Sequence, residues 1–293
     1  MNRVMQYPLD LVRKHFDQAA AHYDAHAVVQ REIADRLLDH LEGLNLQPQT
    51  IVDVGCGTGY CTRALQRRYP RAKVTGIDLS VAMIQEAGRR RGWPGSRFYN
   101  WLQRKPEYLT GDAQALPLAD SSVDLLISNL VLQWCDPELS FREFARVLKP
   151  GGLLLFSSFG PDTLIELRRA WAAVDQHQHV HTFIDMHDLG DAMVRSGLAS
   201  PVLDVDRLVL TYNTVNDVIR DLKGIGAQNL APERPRGLMG KQLFRAFCSA
   251  YESSYPGQAL PVTYEAVYGH AWATGRTVHE TVVLPMPGRR RRS

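Results

Sequence analysis

Hydrophobic positions along the chain recur at two alternating periods. Leu9, Val12, Phe16 and Ala20 step by three and four residues, and Ile33, Leu37, Leu38 and Leu41 do so again, with Arg31, Glu32, Asp35 and Arg36 left for an outer face. That spacing predicts two amphipathic helices within residues 9–42. The short apolar run 51–54, interrupted only by Asp53, then has the composition of a strand buried on both faces. Further runs at 73–77, 108–110, 122–129 and 153–157 read as strands, and the helical patterns between them carry Leu65, then Met83 and Ile84, then Phe141, Phe144, Ala145 and Leu148. Lys149-Pro150-Gly151-Gly152 stops the last of these helices. Strand–helix alternation of this kind is the signature of a doubly wound α/β sheet. Downstream the pattern predicts helices at 162–174, 185–196, 214–226 and 241–255, an extended segment at 202–212, and a final β-rich segment at 262–272 suited to an antiparallel hairpin strand.

The first strand runs directly into Gly55-Cys56-Gly57-Thr58-Gly59-Tyr60. Glycines at these positions permit positive φ and let a ligand approach the backbone, while a helix from Tyr60 onward would point its N-terminus at that ligand. The spacing is Gly-x-Gly-x-Gly, whereas a dinucleotide fold places its third glycine one residue later. Asp78 closes the second strand, where an acidic side chain can accept both ribose hydroxyls of an adenosine. Ser80 is the expected N-cap of the following helix. Met83 on that helix reads either as core or as a contact to adenine.

Charge and cysteine content narrow the function classes. Lys and Arg total 34 against 31 for Asp and Glu, a net of +3, so no global polyanion signature is present. Cys56, Cys61, Cys135 and Cys248 form neither a Cys-x-x-Cys pair nor a zinc-type spacing with histidine, so no metal site is expected and a reducing, cytoplasmic setting fits. Neither a signal-peptide pattern nor a run of about 20 apolar residues occurs, and no membrane association is expected. Arg89, Arg90, Arg91, Arg97, Arg104 and Lys105 alternate with Trp93, Phe98, Tyr99 and Trp101 in a stretch that connects two α/β elements. A surface loop is preferred there, docking of an acidic protein second, and nucleic acid third. The arginine-rich end, 288–293, reads as a solvated tail.

Asp53 two residues ahead of the glycine triplet gives the stretch 51–60 a resemblance to the first motif of class I S-adenosylmethionine (SAM) methyltransferases. The resemblance implies a Rossmann-like, doubly wound, seven-stranded α/β sheet with helical lid insertions, and SAM as cofactor. It implies a cofactor site built from Asp53, Gly55, Cys56, Gly57 and Gly59 in the first motif. Asp78, Leu79 and Met83 would follow from the second strand and its helix, and Asp112, Ala113 and Asn129 from later strand ends. Asp112 stands where such enzymes often bond the adenine amine. In these enzymes a helical N-terminal segment with a Tyr-Asp pair covers the cofactor, which makes Tyr23 a candidate contact; a tyrosine packed between helices is the other reading.

Longer segments resemble one branch of that superfamily. They are Ser128-Asn129-Leu130-Val131-Leu132-Gln133-Trp134-Cys135, Gly160-Pro161-Asp162-Thr163-Leu164, Asp221-Leu222-Lys223-Gly224-Ile225-Gly226-Ala227 and Thr263-Tyr264-Glu265, and they are similar to the biotin-synthesis methyltransferases that esterify a malonyl thioester. The likeness covers nearly the whole chain. It implies one domain over residues 1–275, with a lid at 1–45, substrate-covering insertions at 160–200 and 213–260, and a disordered tail at 276–293. The implied partner is malonyl-acyl carrier protein, which is acidic, or malonyl-coenzyme A, with no nucleic acid; the oligomeric state is left open. A second, similar family of SAM-fold arginine hydroxylases and respiratory-complex assembly factors is the alternative reading, together with methylation of another small carboxylate or a quinone. The Ser128-Asn129 and Gln133-Trp134 pairs favour the malonyl branch.

A malonyl carboxylate is ionised at neutral pH, so its methylation requires no general base, and the chain shows no Ser/His/Asp or Cys/His constellation. Orientation is the larger demand. Tyr23, Gln133 and Trp134 are the catalytic candidates, the last two as walls of the transfer cavity, and Lys223 and His181 are the substrate-binding candidates. Arg142, Arg146 and Lys149 are candidates for steering an acidic carrier.

Overall fold

The computed structural model describes residues 8–90, 104–226 and 240–274. Its centre is a seven-stranded sheet in the order β3-β2-β1-β4-β5-β7-β6. The strands are β1 (Thr50–Val54), β2 (Lys73–Asp78), β3 (Glu107–Thr110), β4 (Val123–Asn129), β5 (Leu148–Phe159), β6 (Leu198–Tyr212) and β7 (Leu260–Ala273). The first five are parallel, and β7 inserts between β5 and β6 antiparallel to both. The expected α/β sheet and its terminal hairpin are thus both present.

Ten helices surround the sheet among the described residues: α1 (Leu9–Ala19), α2 (Tyr23–His26), α3 (Val28–Asp39), α4 (Tyr60–Arg68), α5 (Val81–Arg89), α6 (Pro137–Val147), α7 (Ile165–Ala172), α8 (Met186–Arg195), α9 (Val215–Gly224) and α10 (Lys241–Ser253). The two-residue period of the central strands divides the core between the two faces. Leu125, Ile127, Leu153 and Leu155 pack with Ile33, Leu65, Trp171 and Phe247 on one side. Leu126, Leu154 and Phe156 pack with Phe141, Phe144 and Met193 on the other. Burial on both faces is what the near-continuous apolar runs at β4 and β5 require.

Several boundaries differ from the sequence expectation for local reasons. β5 starts at Leu148, not near 153, because Leu148 pairs with Val123 before a register shift, and Gly151 turns the chain at φ 76 inside that irregularity. α7 starts at Ile165, three residues after the expected 162, since Leu164 adopts a left-handed φ of 58. The stretch between the two N-terminal helices forms the one-turn α2, which periodicity did not signal. β6 begins at Leu198 and runs for 15 residues. The central part of the basic aromatic stretch (91–103), residues 227–239 of the expected second insertion, and the expected tail lie outside the described residues. No helix among the described residues is long and apolar enough to cross a membrane.

Candidate functional site

At the carboxyl end of β1 the chain turns through Gly55, Gly57 and Gly59 at φ 69, 53 and 81. The turn is fastened to β2: the Gly55 and Cys56 amides donate to the Ile77 carbonyl at 2.7 and 3.0 Å, and the Gly57 amide donates to Asp78 Oδ2 at 2.8 Å. The three glycines serve different ends. A Cβ on Gly55 would lie 2.0 Å from Val131 Cγ2, so this position is closed to any side chain. Around Gly57 a Cβ would meet nothing within 4 Å, which leaves its face open to a ligand. Gly59 backs onto β3, where a Cβ would come within 2.6 Å of the Tyr108 hydroxyl. It is absent from the cavity lining, contrary to the expectation that all three glycines face the cofactor.

Asp78 does face that cavity, and Ser80 donates its amide to Asp78 Oδ1 at 2.8 Å. Burial pushes the Asp78 carboxyl up to about 6. Leu79, Met83, Asp112, Ala113 and Asn129 line the same cavity. Ser80 caps α5 by accepting the Met83 amide at 3.1 Å. Asp53 is 1% exposed and sits behind the turn, accepting the Thr62 hydroxyl at 2.5 Å; burial lifts its carboxyl to about 6 as well. Cys56 turns its sulfur toward β2, where a Cβ on Gly76 would meet it at 2.9 Å. Asp53 and Cys56 thus line a neighbouring recess with Tyr23 and Thr58, not the main cavity.

The N-terminal helices close this cavity from above. Leu9, Val12, Phe16, Tyr23 and Gln30 all contribute to its lining. Two carboxylates hold them down. Asp17 accepts the Ser80 hydroxyl at 2.6 Å, and Asp24 accepts the Thr58 hydroxyl at 2.7 Å while pairing with Arg90. Sequence reasoning missed Asp17, Asp24 and Thr58 as fasteners; the Tyr23-Asp24 pair was the available signal. Burial, then the charges of Asp78 and Asp24, push the Tyr23 phenol upward, so it stays protonated and able to donate. Asn129 accepts the Ser157 hydroxyl at 2.7 Å and donates to the Gln30 carbonyl at 3.2 Å, joining β4 to the first turn of α3.

A second cavity of about 690 Å³ adjoins the first, and Gln133, Trp134, Phe159 and Ile225 line both. Gln133 is fixed by donating to the Leu130 carbonyl at 2.6 Å. Trp134 stands edge-on to Phe16 of α1 at 5.6 Å and to His181 at 5.1 Å. His181 is 7% exposed, donates to the Gln133 carbonyl at 3.3 Å, and is lowered by burial to about 4, which leaves it neutral at neutral pH. Lys223 and Lys241 are the cations of this lining, and no Asp or Glu belongs to it among the described residues. Of the surface cations, Arg146 is taken up by Glu143 and Asp120 and Lys149 by Asp124, so neither is a free docking charge.

Residues 52–156 match a family model described as a methyltransferase domain. A protein of Laribacter hongkongensis named malonyl-acyl-carrier protein O-methyltransferase is 48% identical over 262 residues, covering 89% of this chain and 88% of its own. One of the same name from Halorhodospira halophila is 46% identical over 269 residues, covering 91% and 88%. The chain belongs to this methyltransferase family. Solved structures agree on the fold: the YcgJ protein from Bacillus subtilis matches with a TM-score of 0.57 at 14% identity, covering 83% of this chain and 98% of its own. A SAM-dependent methyltransferase from Thermotoga maritima matches with 0.51 at 18%, covering 89% and 99%. Within this family the hydroxylase and assembly-factor alternative loses its ground. The residues at hand also suit a SAM molecule, with a half-buried acceptor at Asp78, an open backbone face at Gly57, and apolar flanks from Leu79 and Met83.

Proposed function

We propose that the enzyme transfers the methyl group of SAM to the free carboxylate of a malonyl thioester, on acyl carrier protein or coenzyme A. What carries the reading is the meeting of two cavities at one wall, Gln133 and Trp134, with acidic acceptors on the first side and, among the described residues, lysines without carboxylates on the second. When bound, SAM supplies an electrophilic methyl group on a cationic sulfonium. Asp78 would hold the ribose hydroxyls, and Met83, Asp112 and Ala113 would hold the adenine. The turn at Gly55 and Gly57 and the Tyr23 phenol would hold the rest of the molecule.

On the substrate side the residues bind and orient. The carboxylate is the nucleophile as it arrives, ionised, so no side chain has to remove a proton. Lys223 attracts it from an exposed position, and such a solvent-screened cation orients the charge without the tight pairing that would favour the ground state over a transition state with less charge. His181, neutral and with its one N–H given to the Gln133 carbonyl, holds Trp134 in place on the cavity wall and has no proton to offer the carboxylate. Trp134, braced by Phe16 and His181, excludes water from the passage between the cavities. Incubation with methyl-labelled SAM and either malonyl-acyl carrier protein or malonyl-coenzyme A, with the acetyl thioesters as controls, tests the assignment. Label in the malonyl species alone is expected; label in neither, with SAM bound normally, sinks it.

A further inference from the structure

The turn that ends α9 touches the N-terminal helices at successive residues. His26, the last residue of α2, donates from Nδ1 to Asp221 Oδ1 at 2.9 Å. Its ring lies so close to Gly224 that a Cβ there would fall 2.3 Å from Cγ and Cδ2. Two residues further on, Gly226 at φ 71 rests on α1, with a Cβ position 3.4 Å from Ala19 Cβ and from the His15 carbonyl oxygen. Ile225, between them, lines the two adjoining cavities and also the recess shared by His26, Asp221 and Tyr212. The methyl-transfer reading uses neither His26 nor Asp221.

These contacts join the two halves of the site. α2 is four residues long and begins at Tyr23; Lys223 stands two residues after Asp221 on α9. A helix of one turn has no stability of its own, since nucleation fixes several residues for a single hydrogen bond. The conformation of α2 therefore rests on its tertiary bonds, Asp24 to Thr58 and Arg90 on the cofactor side and His26 to Asp221 on the substrate side. We propose that the His26–Asp221 pair is a positioning clasp through which methyl-donor binding beneath α2 sets the placement of Lys223 in the substrate cavity. The proposal rests on the methyl-transfer reading only for the identity of the two ligands.

Hydrogen exchange of the backbone amides of 221–226, with and without S-adenosylhomocysteine, tests the clasp without reference to the acyl substrate. Wild-type protein and His26→Asn, whose amide nitrogen stands where Nδ1 does, should both gain protection at 221–226 on binding. His26→Ala and Gly224→Ala should keep the gain at 55–59 and lose it at 221–226. In steady state the two disruptive variants should raise the KM for the malonyl thioester about tenfold, the scale of one charged hydrogen bond, and move the S-adenosylhomocysteine Kd by less than about threefold. The Tyr212 hydroxyl remains beside Asp221 when His26 is removed, and Gly224→Ala favours the helix it sits in, so loss of fold does not imitate loss of the clasp. Ligand-induced protection of 221–226 that survives His26→Ala would overturn the proposal. Coupled protection in a wild-type enzyme that forms no methyl ester would leave the clasp standing and remove the substrate assignment; a methyl ester formed without any response at 221–226 would do the reverse.

Discussion

Asp78 accepts the Gly57 amide on one carboxylate oxygen at 2.8 Å, which ties the acid at the end of β2 to the turn at the end of β1. The other oxygen takes the Ser80 amide at the start of α5. Two backbone donors thereby aim a half-buried carboxylate into the cavity, and the carboxylate in return shapes the glycine turn. Asp78→Ala removes both, along with the acceptor proposed for the ribose hydroxyls. SAM affinity should fall by roughly 30- to 100-fold, the scale of one or two charged hydrogen bonds. Calorimetry measures this, and an unchanged Kd removes Asp78 from the site.

The raised Asp78 carboxyl gives SAM binding a pH dependence. Its native value is about 6, against about 3.9 in an unfolded chain. Between these values the native protein holds a proton that the unfolded chain has released, so this group's contribution to stability declines as pH rises from about 4 to 6. Binding runs the opposite way, because hydroxyls donate to the ionised form. Affinity should rise through pH 6 and level off above 7, with a Kd about tenfold weaker at pH 5 than at pH 7.5. Titration at the two pH values checks the slope; a flat profile contradicts it.

Gly55 and Gly57 should respond differently to alanine. Gly55→Ala places a Cβ 2.0 Å from Val131 in a backbone at φ 69, so overpacking and strain together should lower stability by about 2–4 kcal/mol, read as a lower Tm. Gly57→Ala meets no neighbour and carries only the conformational cost, about 1 kcal/mol. Its methyl group projects toward the ligand face, so it should weaken SAM binding with a smaller loss of Tm than Gly55→Ala.

The Thr58 hydroxyl holds Asp24, and through it the N-terminal helices, to the turn. Thr58→Val keeps the shape and removes the donor, so it should raise the SAM Kd about three- to tenfold; Asp24→Ala, which also frees Arg90, should raise it further. Calorimetry on both variants and the wild type orders the effects.

The parts of this site that were legible in the sequence are those set by backbone chemistry at a strand end. Glycines after an apolar run, an acid closing the next strand and a serine cap each act within a few residues of where they are written. Contacts across the fold were not legible. Thr58 meets Asp24 across 34 positions and His26 meets Asp221 across 195, and no local period encodes either. Gly59 misled for a related reason: its spacing matched the motif, but Tyr108 from β3, invisible to the local pattern, occupies its free face. Asp53 stands beside the turn in sequence and behind it in space, since alternate residues of a strand point to opposite sides and Thr62 claims its carboxylate. The wall at Gln133 and Trp134 was found through a resemblance; its position between two cavities emerged only with the fold.

The central claim is that methyl transfer ends on the malonyl carboxylate. Mass spectrometry of the carrier's acyl group after reaction with methyl-labelled SAM locates the label directly. The label is expected as a methyl ester on the malonyl carboxyl group, in wild-type enzyme, and to be strongly reduced by Asp78→Ala. Label on any other group of the carrier, or none on malonyl thioester while SAM binds with normal affinity, would contradict the account.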